Sequence, residues 1–565
     1  MFKHWKKWFL LCGIMLALCI FTACGTEETP ETQTADLVLK SSNIYTVASE
    51  EALAGGIAIA GDKILAVGTE EEIAPYIGEA TEVRDMGEQL IMPGLIDGHT
   101  HSRVHWGSVG VDLTNVTSQE ECAQMVKQYR EEHPDAEFIV GAGWYRANWG
   151  GDPPTKEVLD AVVSDIPVYL KDFDGHGGWF NSKALELHGV TKETAQALSV
   201  GGEVVVDPTT GEPTGWIKEN PAFDIFNEVP PFDDIEDLKT AIYEWQRYGV
   251  TSINDMGSNV SDSVLLNQLK QLEESGELNV RHFMSFDMND SVEDIERGKE
   301  LYNSDVLRLN ALKVFADGVG SSGTAAMLQP YKDTDNMGEL LVTEEELVEG
   351  FTKAAELGLA SHIHTCGDKA VQTALNAYET VIANGVEIDP RSSVEHCDTT
   401  APEDIPRFAE LGLNVNLTPD FMAPTLKWED NPYMQVYDEE TQKELWNIGS
   451  IYRTGANVTF GTDTYWSSFN PMVQIYRSIA RVSNDGNPVG GYLPEEAITV
   501  KDAIQCYTIN SAKGIGMEDK LGTLEAGKYA DIVVLDTNIL TCPTEDIFNA
   551  APVLTMMGGK ITYEK

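Results

Sequence analysis

The feature that most constrains the fold is a set of eight short apolar runs, each ending in a polar or acidic residue. In chain order they read LIMPGLIDGHTH, VTSINDMG, VRHFMSFD, NALKVFADG, LASHIHTCGD, SSVEHCD, LNVNLTPD and NVTFGTD. Helical patterns alternate with these runs, which is typical of parallel βα units. Eight such strands that close on themselves make a TIM (β/α)8 barrel. The sequence therefore predicts an α/β protein built on a distorted TIM barrel at residues 91–515.

The spacing of the runs and the texture of the two chain ends predict two additions to this barrel. About 140 residues separate the first run from the second, which is too long for a simple loop. We expect a large insert at about 106–240 that lies over the barrel mouth. Residues 36–90 and 516–565 are rich in β patterns and too short for separate cores, so we expect them to pair into one small composite β-sandwich domain.

The first residues have the features of an export signal. Lys3, Lys6 and Lys7 precede an apolar run from Trp8 to Ala23. Sixteen helical residues reach about 24 Å, short of a bilayer core of ~30 Å, which favours a cleaved signal over a permanent span. Cys24 follows Ala23 as in a bacterial lipobox. We expect a lipoprotein signal peptide at 1–23, lipidation of Cys24, and a polar tether at 24–35, which together place the protein outside the cytoplasm on a membrane lipid anchor.

The charge of the chain excludes one class of partner. Its 91 acidic residues outnumber its 39 Lys and Arg residues, for a formal net charge of −52. A surface this acidic repels the phosphates of nucleic acids. We therefore expect a small-molecule substrate and no nucleic acid partner, while the oligomeric state is left open.

Side chains that bind metals stand at the ends of the predicted barrel strands. His99 and His101 are two residues apart, so on a strand both imidazoles face the same side. Further candidates are Lys313, which lies in the fourth run, and His364, His396 and Asp463, which end the fifth, sixth and eighth runs. Because the carboxyl ends of barrel strands converge, this set predicts a metal site there.

The motifs together resemble those of the amidohydrolase superfamily, in the branch that includes N-substituted formamide deformylase. The similarity covers nearly all of residues 36–565, and the motifs that carry it are MPGLIDGHTH, DGHGGWFNSKAL, GEPTGWIKE, LKVFADG, HIHTCGDKA, RSSVEHCD, FGTDTYW and LGTLEAGKYADIVVLD. The resemblance implies that His99, His101 and Asp463 hold one divalent metal ion. It implies that His364 and His396 hold a second, with Lys313 bridging the two as a carbamate. If Lys313 is not carboxylated, a single metal is expected. Zinc is the first candidate, with Mn, Fe, Co and Ni as alternatives.

The resemblance also implies a hydrolytic mechanism with substrate contacts from the insert. Asp463 is expected to act as general base and then acid. His176 and Asn181, in the motif DGHGGWFNSKAL, are expected to contact the substrate. Trp144, with Tyr145, Trp149 and Trp179, forms either an apolar lid or the core of the insert. Cys366 and Cys397, beside His364 and His396, could bind metal, form a disulfide or lie inert.

The sequence therefore predicts a metal-dependent hydrolase of non-peptide C–N bonds, such as those of N-acyl or N-formyl amides. Two alternatives are a hydrolytic deaminase or cyclic-amide hydrolase, which uses the same site, and a substrate-binding lipoprotein that has lost turnover. The binding protein is disfavoured by the intact set of His99, His101, His364, His396 and Asp463, because binding requires no proton-transferring aspartate.

Overall fold

The computed structural model describes residues 33–102, 110–114, 116–173, 175–229, 235–257, 263–425, 427–464 and 468–565. The predicted signal peptide at 1–23, Cys24 and all but the last residues of the tether at 24–35 lie outside the described residues. No helix in the described ranges is long and apolar enough to cross a membrane.

The strands fall into three sheets. The first part of the chain contains β1 Leu37–Ile44, β2 Leu53–Ala60, β3 Lys63–Gly68, β4 Glu82–Asp85, β5 Leu90–Pro93 and β6 Leu95–Thr100. The insert contains β7 Val111–Asp112, β8 Ile139–Trp144, β9 Val168–Asp172, β10 Gly177–Phe180, β11 Gly202–Val206 and β12 Pro213–Glu219. The rest of the chain contains β13 Val250–Asp255, β14 Arg281–Asp287, β15 Leu307–Phe315, β16 Ala360–Thr365, β17 Ser393–His396, β18 Asn414–Leu417, β19 Asn457–Phe460, β20 Ile532–Leu535, β21 Pro552–Met557 and β22 Lys560–Glu564.

The α-helices up to β13 are Glu70–Ile73, Gln119–Glu132, Lys156–Asp160, Ser182–Leu187, Ala195–Leu198, Asn220–Glu228 and Ile235–Arg247. Those that follow are Ser263–Ser275, Val292–Leu301, Glu344–Glu356, Asp368–Ala383, Ile405–Leu411, Pro432–Val436, Ile448–Arg453, Pro471–Ala480, Val500–Cys506, Ile509–Gly514 and Thr544–Ile547. Several begin at a side-chain cap. At Thr343, for example, the hydroxyl accepts from the backbone N–H of Glu346, whose carboxylate accepts from that of Thr343.

The eight predicted barrel strands form one parallel sheet in the order β19-β18-β17-β16-β15-β14-β13-β6. The two end strands meet where the backbone N–H of Asp463 donates to the carbonyl of His99 at 2.8 Å. The strands are buried on both sides, as expected when helices cover a parallel sheet. The TIM barrel predicted from the eight runs is confirmed.

A second sheet combines strands from both ends of the chain, in the order β22-β21-β20-β5-β1-β2-β3, with β4 beside β1. Its central pairing joins Ile91 of β5 to Val534 of β20. The apolar face includes Ile57, Ile91 and Ile532, all fully buried. The two ends thus build one shared domain, because neither has enough apolar surface to form a core alone.

The insert folds around its own sheet, in the order β11-β12-β10-β9-β8-β7. One side packs Phe180, Ile217 and Phe226, and the other packs Trp144, Leu170 and Trp179. Because the insert leaves the chain directly after β6, its turns lie beside the carboxyl end of the barrel.

Candidate metal centre

The strand register brings the candidate ligands together at the carboxyl end of the barrel. His99 lies in β6, His364 in β16 and His396 at the end of β17, while Asp463 follows β19. In the register of β16 with β17, Thr365 lies opposite His396, so consecutive strands end at the same level. The site is therefore assembled from residues far apart in the chain.

The imidazoles surround the carboxylate of Asp463. Its Oδ1 lies 3.4 Å from Nε2 of His99 and 3.2 Å from Nε2 of His101. The ring centroid of His396 lies 4.6 Å from that of His99 and 4.5 Å from that of His364. All five predicted histidine and aspartate ligands thus lie in one cluster, and none is more than partly exposed.

The donor set fits a divalent metal ion. Ligand atoms of His99, His396 and Asp463 lie within 4.8 Å of one another. Oδ1 of Asp463 and Nδ1 of His396 are buried without a hydrogen-bond partner among the described residues, which is costly unless another group satisfies them. Nitrogen and carboxylate oxygen are ligands that Zn²⁺ and related ions accept. His99, His396 and Asp463 are the described residues that would hold a metal ion here, and metal binding by His101 and His364 stays a prediction.

The electrostatics of the cluster favour the ligand form of His364, His396 and Asp463. Burial and the neighbouring imidazoles lower the pKa of His364 and of His396 well below the ordinary value, so both rings are neutral. Burial opposes the charge on Asp463, but His99, His101 and His396 outweigh it and lower the pKa of this carboxyl. Neutral imidazoles and an ionised carboxylate are what a metal requires.

Lys313 lies in β15 beside this cluster, with its side chain directed into the barrel. Nζ is buried without a hydrogen-bond partner in the described part of the chain. Burial lowers the pKa of the amine, against the opposing charges of Glu395 and Asp463. A neutral amine is the form that adds carbon dioxide, so the surroundings fit a carbamate. The bridging role of Lys313 stays a prediction.

Glu395 is a member of the site to which the sequence analysis assigned no role. Its Oε2 accepts a hydrogen bond from Nδ1 of His99 at 2.6 Å, and both side chains are buried. Burial disfavours the carboxylate, but His99 holds its pKa at about 2. This bond fixes the tautomer of His99 and turns Nε2 towards Asp463. The signal that could have revealed Glu395 was a carboxylate inside an otherwise buried strand.

The backbone is strained at the residues that end the strands. His396, Cys397 and Asp463 have positive φ angles of 72°, 48° and 46°. Each such residue costs about 1–3 kcal/mol and persists where the surrounding structure enforces it. Here the strain turns His396 and Asp463 towards the cluster.

A pocket of about 750 Å³, measured to its open mouth, lies above the cluster. Its walls are mainly aromatic: Tyr145, Phe173, Phe223, Phe315, Phe421 and Tyr433. His99, His101, His364, His396 and Asp463 line its floor. No lysine or arginine lines this pocket in the part of the chain that the structure describes. The pocket therefore favours an apolar ligand without a negative charge.

His176, predicted to contact the substrate, lines this pocket from the insert. Its ring centroid lies 5.4 Å from that of His364. Nδ1 donates to Oε2 of Glu219 at 2.9 Å, which places the ring proton on Nδ1. Asp174, two residues earlier in the same motif, lies outside the described residues.

Asn181 and Trp144 lie away from the pocket, which differs from the substrate contacts expected of them. The side chain of Asn181 is buried and caps the helix Ser182–Leu187, accepting from the backbone N–H of Ala184 and of Val168. Its amide nitrogen donates to two carbonyls. Nε1 of Trp144 donates to the carbonyl of Leu170 at 3.0 Å. Both side chains therefore contribute to the packing of the insert.

Of the four aromatic residues predicted to form either a lid or the core of the insert, three lie in the core and one lines the pocket. Trp144, Trp149 and Trp179 pack against one another, with ring centroids 5.9–6.4 Å apart. These three belong to the core of the insert. Tyr145, the extended residue that directly follows β8, lines the pocket. Alternation along the strand separates the neighbours.

The two cysteines beside the site are free and buried. Sγ of Cys366 lies 3.5 Å from Nε2 of His364 and lines the pocket. Burial raises the pKa of both thiols. The thiols are therefore protonated, and no disulfide joins them.

A second carboxylate in the pocket wall also escaped the sequence analysis. Asp398 accepts a hydrogen bond from the Tyr433 hydroxyl at 3.0 Å. Burial raises the pKa of Asp398 to about 7. Tyr433 lies in the helix Pro432–Val436 after β18, and sequence spacing gives no signal that would bring it to the end of β17.

Comparison with known proteins identifies the family of this chain. A family model described as the amidohydrolase family matches residues 82–563. The chain is 26% identical over 555 residues to the N-substituted formamide deformylase of Arthrobacter pascens, which covers 94% of this chain and 99% of that protein. It is 29% identical over 546 residues to the protein LONG AFTER FAR-RED 3 of Arabidopsis thaliana, covering 94% and 92%.

A solved structure shares the architecture. An uncharacterised metal-dependent hydrolase from Pyrococcus furiosus aligns with a TM-score of 0.68 and 27% identity, over 89% of this chain and 100% of that one. The family match covers most of the chain, including every candidate ligand. The protein thus belongs to the amidohydrolase family, as a metal-dependent hydrolase that acts on carbon–nitrogen bonds.

Proposed function

We propose that this protein hydrolyses a small, neutral N-acyl or N-formyl amide that carries an aromatic or other apolar group. The observation that carries the proposal is the aromatic pocket above the His99, His396 and Asp463 cluster. A substrate with a carboxylate would meet Asp398 and Asp463 and find no lysine or arginine among the described lining residues. The relative from Arthrobacter pascens, named as a formamide deformylase, supports the amide class.

Bound metal supplies Lewis acidity, which lowers the pKa of water and polarises a carbonyl. The chain supplies proton transfer. Asp463 lies at the pocket floor, with its buried Oδ1 3.2 Å from Nε2 of His101, and is placed to accept the proton of the attacking water. The water oxygen bonds to the amide carbon, and Asp463 returns the proton to nitrogen as the C–N bond breaks. The products are a carboxylic or formic acid and an amine.

The insert supplies binding and orientation. His176 is placed to accept a hydrogen bond from the N–H of the substrate amide through Nε2, because Glu219 holds the ring proton on Nδ1. Phe173 and Phe223 come from the insert, and Phe315 and Phe421 from the barrel. An apolar group held between them displaces water from the pocket and strengthens electrostatic contacts within it.

The test is hydrolysis of N-(4-nitrophenyl)formamide by Zn-loaded protein beginning at Gly25, followed by release of 4-nitroaniline. We expect Asp463→Asn to lower kcat by about 10²–10⁴-fold. The N-formyl derivative of an amino acid, which carries a carboxylate, serves as the matched poor substrate. Faster turnover of the carboxylate substrate would contradict the substrate class.

The alternatives give different outcomes in the same assay. Ammonia release from an amino-heterocycle panel, without turnover of amides, would indicate a deaminase. A binding protein would hold formanilide with equal affinity in wild type and Asp463→Asn and turn it over in neither.

We further propose that the protein is exported and anchored through a lipid on Cys24. The support is the basic and apolar run before Ala23-Cys24-Gly25. Labelled palmitate should enter the full-length chain and be absent from Cys24→Ala. Equal fractionation of both forms with the membrane would contradict the anchor.

A further inference from the structure

Glu219 has no role in the hydrolytic mechanism, yet its surroundings are unusual for a surface insert. It ends β12 and is only 2% exposed. Its backbone has φ 57° and ψ −141°, a left-handed conformation that favours glycine. A non-glycine residue held this way next to a pocket residue, His176, points to a purpose for its side chain.

The side chain and backbone of Glu219 both hold His176. The backbone N–H of Glu219 donates to the carbonyl of His176 at 2.7 Å. Oε2 accepts from Nδ1 of the same residue at 2.9 Å. A carboxylate only accepts, so this bond places the proton on Nδ1 and leaves Nε2 as an acceptor on the pocket side.

The other carboxylate oxygen reaches the barrel. Oε1 of Glu219 accepts from Oγ1 of Thr324 at 2.6 Å. Thr324 in turn holds the loop after β15, since its hydroxyl accepts from the backbone N–H of Val319 at 3.0 Å. The carbonyl of Gly318, in that loop, lies 3.1 Å from Nε2 of His364. One carboxylate therefore links the insert histidine to the barrel loop that contacts the metal site.

Space for this link is provided by Gly318. A Cβ atom at position 318 would lie 2.6 Å from Oε1 of Glu219 and closer still to Oγ1 of Thr324. Any side chain there would displace one of the pair. Four observations therefore meet at Glu219: its strained backbone, its two hydrogen bonds with His176, its bond to Thr324 of the barrel, and the space that Gly318 leaves for its carboxylate.

We propose that Glu219 is a positioning residue, which sets the tautomer and orientation of His176 over the pocket and joins the insert to the barrel through Thr324. The inference rests on the proposed function in that His176 is the group that meets the substrate. Glu219 itself does not touch the substrate. A misplacement of a contacting group by about 1 Å can cost about 100-fold in rate.

The activity test is a double-mutant cycle on Zn-loaded protein with N-(4-nitrophenyl)formamide. We expect Glu219→Ala to lower kcat/KM by about 10–100-fold, mainly in kcat, with metal content unchanged. In a His176→Ala background the same change should cost less than about threefold, because Glu219 acts through His176. Glu219→Gln should recover part of the loss, since the amide oxygen can still accept from Nδ1. Equal costs in both backgrounds would overturn the proposal.

A matched control exists in the same insert. Glu228 accepts from Nδ1 of His188 at 2.8 Å, the same pairing, but Glu228 is exposed and the pair lies outside the aromatic pocket. Glu228→Ala should leave kcat/KM within about twofold of wild type. A loss equal to that of Glu219→Ala would show that any such pair merely stabilises the insert.

A second measurement needs no turnover and separates this inference from the proposed function. In protein labelled with ¹⁵N-histidine, the resonances lost in His176→Ala identify the ring of His176. We expect the Nδ1–H tautomer in wild type and in Glu228→Ala, and a shift towards Nε2–H in Glu219→Ala. If wild type hydrolyses no amide but the tautomer shifts, the proposed function fails and the positioning role stands. An unchanged tautomer in Glu219→Ala would refute the positioning role whatever the activity.

Discussion

The hydrogen bond between Glu395 and His99 should control how tightly the site holds metal. The two atoms are 2.6 Å apart, and the exposed fractions of the side chains are 0% and 1%. Glu395→Gln keeps an acceptor for Nδ1 of His99 but removes the charge. A hydrogen bond to a charged group contributes about 1.5–3 kcal/mol and a neutral one about 0.5–1.5 kcal/mol. The difference of about 1–1.5 kcal/mol corresponds to roughly tenfold weaker metal binding.

A larger change should follow when the bond itself is lost. Glu395→Leu leaves Nδ1 of His99 without an acceptor and free to turn, so we expect metal affinity to fall by about 100-fold, the upper end for such partners. Affinity is measured by competition for Zn²⁺ with a chelator at fixed pH, with circular dichroism to confirm folding.

The control for this series is a second buried glutamate away from the pocket. Glu496 is 6% exposed and accepts from the backbone N–H of Ser450 at 2.6 Å. Glu496→Gln should change the stability of the fold but leave the Kd for Zn²⁺ unchanged. If Glu395→Gln and Glu395→Leu bind Zn²⁺ as tightly as wild type, Glu395 does not orient a metal ligand.

Three further outcomes follow from the structure. The Lys313 amine is buried and its pKa is lowered, so metal-loaded protein should have an intact mass that is higher by one carbon dioxide, and this excess should disappear in Lys313→Met. If wild type and Lys313→Met differ only by the mass of the substituted side chain, the carbamate is excluded. Asn181→Ala should lower the free energy of unfolding by about 1–3 kcal/mol, because it leaves buried backbone groups unpaired, and it should leave kcat unchanged. A loss of kcat without a loss of stability would instead indicate that Asn181 contacts the substrate. Burial and nearby acids including Asp368 raise the pKa of Glu444 to about 7, so this carboxyl destabilises the fold progressively as pH rises from its ordinary value of 4.5 through 7. Glu444→Gln should therefore raise the Tm at about pH 8 and leave it unchanged at about pH 4, and a reversed pH dependence would refute the burial argument.

The barrel and its ligands could be predicted because their signals are local. Each strand is a short apolar run, and a histidine or aspartate at its end is visible in the sequence, as at His364 and Asp463. The parallel topology then brings the ends together without further information. The same reasoning identified His176 from its motif.

What escaped prediction depends on side-chain direction and distant packing. Glu395 adjoins His396 in sequence, but only the pairing of β16 with β17 and the approach of β6 show that its carboxylate meets His99. Trp144 packs in the core of the insert, whereas its neighbour Tyr145 lines the pocket. To predict this difference, one would have to know which side of this extended segment meets the pocket. The bond from Glu219 to Thr324 joins an insert to a barrel loop, and no local pattern encodes it.

The sheet shared by the two chain ends has a consequence for how the protein is made. Strand β5 pairs with β20, so the edge of β5 at Ile91 stays uncovered until Val534 has been synthesised. At ribosomal rates of ~5–20 residues per second, that wait lasts roughly 20–90 s. During this time β5 is an open, wholly apolar strand edge, the kind of surface that aggregates or recruits chaperones. Native closure of this domain is therefore a late, post-synthetic event, and we expect the nascent chain to depend on a holding factor until its last strands emerge.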